Sequence, residues 1–133
     1  MEQIKKYFLK DKFAKFNGIE ILEIKKGWAK VKMDITENHL NGVGIVHGGA
    51  IFSLADMAFA AAANSHGNVS VGINASISYM NAGRGKMLMA EAQEVSRNPK
   101  LSSYTVRITD EKEDLVAIFQ GMAYLKRDKI DSL

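Results

Sequence analysis

Apolar and polar positions change their period several times along these 133 residues, and each change marks an element. Ile4, Tyr7, Phe8, Leu9, Phe13 and Phe16 recur at helical spacing, with Lys5, Lys6, Lys10, Lys12 and Lys15 on the wetter side. That pattern predicts a short amphipathic helix packed on the edge of the domain. From Gly27 the period shortens to two. Ala29, Val31, Met33 and Ile35 alternate with Trp28, Lys30, Lys32 and Asp34, as in a strand with one buried face. An irregular glycine-rich segment, TENHLNGVGIVHGG, comes next, and after it the stretch IFSLADMAFAAAA, Ile51 to Ala63. This stretch exceeds strand length, is rich in alanine, and ends at a natural stop from Asn64 to Gly67, so it predicts a helix. Four alternating segments follow: Val69 to Met80, Lys86 to Val95, Leu101 to Asp110 and Leu115 to Lys126. The short connections NAGRGK, SRNPK and DEKED predict an antiparallel meander. A helix that is apolar nearly all round must be covered on most sides, which a curved antiparallel sheet does. The expected fold class is therefore α+β, as one domain over residues 1–133.

Composition narrows the chemistry. A chain of this length buries somewhat under about 70% of the surface its unfolded form exposes, enough for a core. The absence of cysteine excludes a disulfide framework, thiolate metal sites and a cysteine nucleophile. The start, MEQIKKYFLKDKF, has no apolar run of signal-peptide length, and no stretch is long and uninterrupted enough to span a bilayer. A cytoplasmic protein with no membrane partner is expected. Net charge is +3 and pI about 9.1, with basic residues scattered along strands and turns, which argues against nucleic acid and suits an anionic small ligand. His39, His47 and His66 lack ligand spacing and have no second carboxylate beside them, so no metal is expected.

One residue stands out against this background. Between Glu37 and Arg84 lie 46 residues, and Asp56 alone among them carries a full charge. At the chain's average of 25% charged, about 11 or 12 would be expected. The helix that holds Asp56 offers no basic partner, so a buried, functional carboxylate is expected there. The glycines of NGVGIVHGG leave the first amides of the helix uncrowded, ready for a negatively polarised oxygen. A carbonyl held by the Gly48 amide and attacked by Asp56, or by water that Asp56 activates, would need both groups within about 3 to 3.5 Å of it. Eight residues of helix separate them by about 12 Å. One chain cannot supply both groups to one carbonyl. Two chains can, if the helices of a dimer run antiparallel and the start of one lies beside the middle of the other.

The segment NGVGIVHGGAIFSLADMAFAAAANSHG resembles the hotdog-fold acyl-CoA thioesterases, in particular the group typified by the phenylacetate-pathway thioesterase, with the signature N-x-x-G-x-x-H-G-G-x-x-x-x-L-x-D. A weaker likeness runs on through SISYMNAGRGKMLMAEAQEVSRNPKLSSYTVRI and VAIFQGMAYLK, so that the resemblance covers roughly Asn41 to Lys126. It implies a sheet wrapped round a central helix, hydrolysis of acyl or aryl thioesters of coenzyme A, no cofactor beyond the coenzyme A of the substrate, and dimers paired into tetramers. By position it makes Asp56 the catalytic carboxylate, Gly48 the amide that polarises the thioester carbonyl, Asn41 an amide side chain near the leaving thiol or water, and His47 a residue that shapes the turn. Asp and Gly then act from opposite protomers. Where some members have a water-positioning serine, this chain has Gly72, with Ser70 or Asn74 as replacements. Arg97 and Lys100, with Arg84 or Lys86, would meet the coenzyme phosphates. Gly49 would join the substrate-binding residues, and Phe52 and Phe59 would line the acyl pocket or belong to the core.

Two other readings remain open on these residues. One is a non-catalytic acyl-CoA-binding sensor on the same fold, which would have no need of a buried Asp56. The other is a dehydratase, which would use a histidine and a carboxylate on a hydroxyacyl chain, but the proline-rich segment expected before its helix is missing.

Overall fold

The computed structural model describes residues 1–132. Its elements in order are α1 (Glu2–Phe8), α2 (Lys12–Phe16), β1 (Ile19–Lys25), β2 (Trp28–Asp34), a 3-10 turn at Glu37–His39, α3 (Gly48–Ala63), β3 (Asn68–Tyr79), β4 (Met87–Arg97), β5 (Leu101–Asp110), β6 (Leu115–Lys129) and a closing 3-10 turn at Ile130–Ser132.

The amphipathic helix expected at the start is two helices. Asp11 interrupts it: its carboxylate accepts the Ala14 amide at 2.9 Å and caps a new helix at Lys12. The break rotates the phase of the apolar face. Ile4 and Ala14 are buried, whereas Leu9, Phe13 and Phe16 are 77%, 63% and 87% exposed.

All strands pair antiparallel in one sheet of order β1-β2-β4-β5-β6-β3. This corrects the expected four-strand meander, because of its four strands only β4, β5 and β6 are sequential neighbours, and β3 lies on the far edge beside β6. The link from Met80 to Lys86 is therefore a crossover. It passes three strand spacings, about 14 Å, which seven residues reach easily when extended. On the way Gly83 accepts the Val46 amide at 2.9 Å and Lys86 accepts the Ile35 amide at 2.8 Å, tying the link to the segment before α3. Asparagine and glycine mark a turn without saying whether it closes a hairpin or begins a crossing.

Helix α3 packs on one face of this sheet and touches every strand. Leu54, Ala55, Ala58, Ala61 and Ala62 are fully buried against Ala29, Val31 and Met33 of β2, Leu88, Ala90 and Ala92 of β4, and Val106 and Ile108 of β5. Methyl side chains on both surfaces let helix and sheet approach closely. Burial of Leu54 alone contributes about 1.5 to 3 kcal/mol. The C-terminal end of α3 is fastened as well: Ser65 Oγ accepts the Gly27 amide at 2.7 Å in the β1–β2 turn, and His66 Nε2 lies 2.7 Å from Glu94 Oε2 on β4. No helix among the described residues is long and apolar enough to cross a membrane.

Candidate active site

The turn before α3 is organised by its own polar groups. His39 is buried, with Nδ1 accepting the Thr36 amide at 3.0 Å and Nε2 donating to the Asn17 carbonyl at 2.8 Å, a single neutral tautomer. Its carbonyl accepts the His47 amide at 2.7 Å. Asn41 Oδ1 accepts the amides of Val43 and Ile45 at 3.0 and 3.3 Å, so the carboxamide oxygen holds the loop. His47 is the N-cap of α3: its Nδ1 accepts the Gly49 amide at 2.8 Å, and its carbonyl accepts those of Ala50 and Ile51 at 2.9 and 3.1 Å. Every helix start leaves its first amides without intrahelical partners. Here three of the four are taken, and the Gly48 amide has no acceptor among the described residues.

Gly48 and Asn41 line one cavity of about 360 Å³, together with Ile51, Tyr79, Asn81 and Gly83. Tyr79 is a residue that the sequence did not single out. Its hydroxyl donates to the Gly48 carbonyl at 3.0 Å, and its ring would lie 3.2 Å from a Cβ at residue 48, so a larger residue there would push the exposed ring aside by a few tenths of an ångström. Nothing in its surroundings, a tyrosine ending an alternating strand, distinguishes it before the chain is folded.

Asp56 lies two turns further along α3, about 12 Å away by helix rise. The expectation that it is buried is corrected in the single chain. Asp56 belongs, with Gly49, Ser53 and Ala60, to the one stripe of α3 that the sheet leaves uncovered, while Leu54, Ala55, Met57 and Ala58 point inward. No hydrogen bond or ion pair satisfies its carboxylate among the described residues. Its pKa is nevertheless held above the ordinary value of 3.8, first by partial desolvation and second by the negative charge of Asp11 at the start of α2.

The aromatic pair divides. Phe52 is half-buried and sits edge-on to Phe119, centroids 5.4 Å apart. Phe59 is 3% exposed, with its ring against Tyr104 and Phe119 at 5.7 and 5.6 Å. Within the single chain it is core. The same ring crowds Gly72, where a Cβ would stand 3.0 Å from Phe59 Cε2, so a serine there would need the ring to give by a few tenths of an ångström. Asn74 is also corrected. A β-bulge between Gly72 and Asn74 reverses the side-chain phase, so Asn74 pairs with the outward-facing Met122 and lies on the sheet face away from α3. Ser70 stays near α3, but its amide is bound by Asn64 Oδ1 at 2.8 Å and its hydroxyl faces the Asn68 carbonyl at 3.5 Å.

These features coincide with what comparison finds. The sequence profile of the Thioesterase superfamily matches residues 43–117. The chain belongs to the thioesterase superfamily. A protein of Archaeoglobus fulgidus is 43% identical over 126 residues, which span 93% of this chain and 82% of its own length. The acyl-coenzyme A thioesterase PaaI of Escherichia coli is 37% identical over 115 residues, 86% of this chain and 82% of that one. Among solved structures, the E. coli PaaI protein from the phenylacetic acid degradation operon superposes with a TM-score of 0.92 at 32% identity, covering 96% of this chain and 94% of that one. The arrangement of sheet and central helix is thus the hotdog fold.

In this thioesterase-superfamily chain the basic turn lies far from the Gly48 amide of the same subunit. Arg97 ends β4 and Lys100 precedes β5, in a hairpin whose Asn98 Oδ1 accepts the amides of Lys100 and Leu101 at 2.9 and 2.8 Å. The His66–Glu94 contact places that end of β4 beside the C-terminal end of α3. Arg84 and Lys86 lie on the crossover instead, where Glu111 Oε1 accepts the Lys86 amide at 2.9 Å. One subunit therefore brings Asn41, His47, Gly48 and Gly49 together, and leaves Asp56, Arg97 and Lys100 elsewhere.

Proposed function

We propose that this protein is a cytoplasmic homodimer, paired into a tetramer, that hydrolyses acyl- or aryl-CoA thioesters to the free acid and coenzyme A. The observation that carries the reading is the pairing of one unclaimed helix-start amide, that of Gly48, with one carboxylate on an uncovered helix stripe that no neutralising partner accompanies. The kinship with an enzyme named for acyl-coenzyme A hydrolysis supports the same reaction.

The dimer is supported by β3. This twelve-residue strand is the edge of the sheet, bears no charged side chain and exposes Val71, Ile73 and Tyr79. Sheet edges left free in solution are commonly guarded by charge or proline, and β3 carries neither. Two β3 edges joined antiparallel about a two-fold axis would extend the sheet, and set the two α3 helices antiparallel on one face. The Gly48 amide of one protomer would then stand near the partner's Asp56, and the basic turn of that partner would lie near the same site, where Arg97 and Lys100 hold coenzyme phosphates.

In such a site the thioester carbonyl oxygen accepts from the Gly48 amide, which strengthens as negative charge develops on it. Asp56 either takes a proton from water as the water oxygen attacks the carbonyl carbon, or attacks that carbon itself and is later released by water. The C–S bond breaks and the thiolate of coenzyme A leaves, taking up a proton. Asn41 has its carboxamide nitrogen still free to meet the thiol or water, and His47 keeps the Gly49 amide occupied so that the donor is placed at Gly48.

The test is release of free thiol from a panel of CoA thioesters by wild type and Asp56→Asn. Loss of about 10²- to 10⁴-fold in kcat is expected, the usual worth of a general base. A rate that survives the substitution would refute the assignment of Asp56, and tight binding without turnover by wild type would refute the enzyme.

A further inference from the structure

A second concavity is lined by the residue next to the candidate carboxylate, and nothing in the chemistry above uses it. Helices α1 and α2 stand off from β1 to leave a groove of about 690 Å³, floored and walled by Phe8, Leu9, Ala14, Ile19, Ile21 and Met57. Met57 is the residue next to Asp56, and Asp11 on the rim is the carboxylate whose charge reaches Asp56, so groove and candidate base share one neighbourhood. The rim carries Lys5, Lys6 and Lys15 against Glu2, Asp11 and Glu20, three charges of each sign. One of the cations is engaged already, with Lys5 Nζ donating to the Leu22 carbonyl at 3.3 Å. A balanced rim over an apolar floor does not select an anion such as a phosphate. It selects a neutral apolar group. The volume falls within the range of pockets that hold ligands of drug size, about 300 to 1,000 Å³, well beyond what an acetyl group needs.

We infer that the groove between the N-terminal helices and β1 receives the apolar end of a long alkyl or bulky aryl acyl group whose thioester lies at Asp56. The inference rests on the thioesterase reading for the position of the thioester, and on the groove's own lining for the class of acyl group. Leu9, largely exposed at the α1–α2 junction, closes on the chain from the solvent side.

Binding is measured with non-hydrolysable S-alkyl-CoA thioethers of two to ten carbons, beside hydrolysis of the matching thioesters, on full-length protein. Affinity in wild type is expected to rise about fourfold per methylene, the equivalent of about 0.8 kcal/mol for each buried CH₂. Ala14→Leu and Ile21→Phe, which narrow the groove from α2 and from β1, are expected to flatten that slope. Ile21 is only partly buried, so its variant keeps the test open if the first does not fold, with circular dichroism and thermal unfolding as controls. A flat slope in wild type, or a slope unchanged in a folded Ile21→Phe, overturns the groove assignment. A slope that behaves as expected with no hydrolysis of any thioester sinks the reaction and leaves the groove standing.

Discussion

Gly121→Ala puts the packing around α3 to a test in which two effects of opposite sign compete. Gly121 lies in β6 with ordinary negative backbone torsion, so alanine is allowed there, and by restricting the unfolded chain it would add about 0.4 to 1 kcal/mol of stability. Its Cβ, however, would stand 2.9 Å from Phe119 Cε1 and 2.9 Å from both Cδ1 and Cε1 of Phe59. Carbon atoms rest at about 3.5 to 4.0 Å. Neither ring can yield cheaply, since Phe119 is 0% and Phe59 3% exposed, the two rings pack on each other, and Phe59 also packs on Tyr104 and Phe119 on Phe52. Overpacking of this kind costs about 1 to 3 kcal/mol, so the steric term wins by about 1 kcal/mol. With an unfolding entropy of about 0.28 kcal/mol/K for a chain of this length, Tm falls by about 4 °C. Urea unfolding at fixed protein concentration reads the loss directly, concentration being held because assembly contributes to apparent stability. Phe59→Leu should relieve the clash, making the double variant less destabilised than the sum of its parts by about 1 kcal/mol. A Gly121→Ala protein as stable as wild type, or strict additivity with Phe59→Leu, would refute the account.

Asp11→Asn keeps the cap of α2 but removes the like charge near Asp56, so the acid limb of kcat/KM, which an ionised Asp56 places above 3.8, should move to lower pH in a pH–rate profile. Asp56 binds its proton more tightly folded than unfolded, so the ionised carboxylate costs stability as pH rises from 3.8 through the folded value; Asp56→Asn should therefore melt at or above the wild-type temperature near neutrality and alongside it near pH 3. Gly48→Pro deletes the free amide at a first helical position whose preceding residue is already extended (φ −60°, ψ 137°), so circular dichroism should stay native while turnover is lost. Mixing Gly48→Pro subunits with Asp56→Asn subunits should restore one working site per mixed dimer, and no recovery after exchange would refute the shared site.

What was legible in the sequence follows from which forces act locally. The run of alanine and leucine from Ile51 to Ala63 can bury itself only as a helix, and the alternation from Ala29 to Met33 only as a strand, so both are found where the periodicity puts them. The isolation of Asp56 was equally plain, because an apolar stretch tolerates a carboxylate only under special conditions. The order of the strands was not legible, since the link from Met80 to Lys86 carries the same residues a hairpin would. The outward turn of Asn74 depends on one unpaired residue in a ladder whose partner is some fifty positions away. Likewise, the break at Asp11 competes with an uninterrupted helical period that lysines and aromatics maintain on both sides. At Gly72, where the sequence lacks a serine, only the folded chain shows how closely the ring of Phe59 approaches.

The place of β3 also governs how this chain emerges from the ribosome. Its only strand partner among the described residues is β6, so residues 68–79 wait for residues 115–129 to be translated. At roughly 5 to 20 residues per second that interval lasts several seconds. Throughout it an uncharged strand of twelve residues stands open along both margins, the arrangement most prone to joining another nascent copy. Synthesis of the last strand seals one margin, and the second is left for a finished subunit to find.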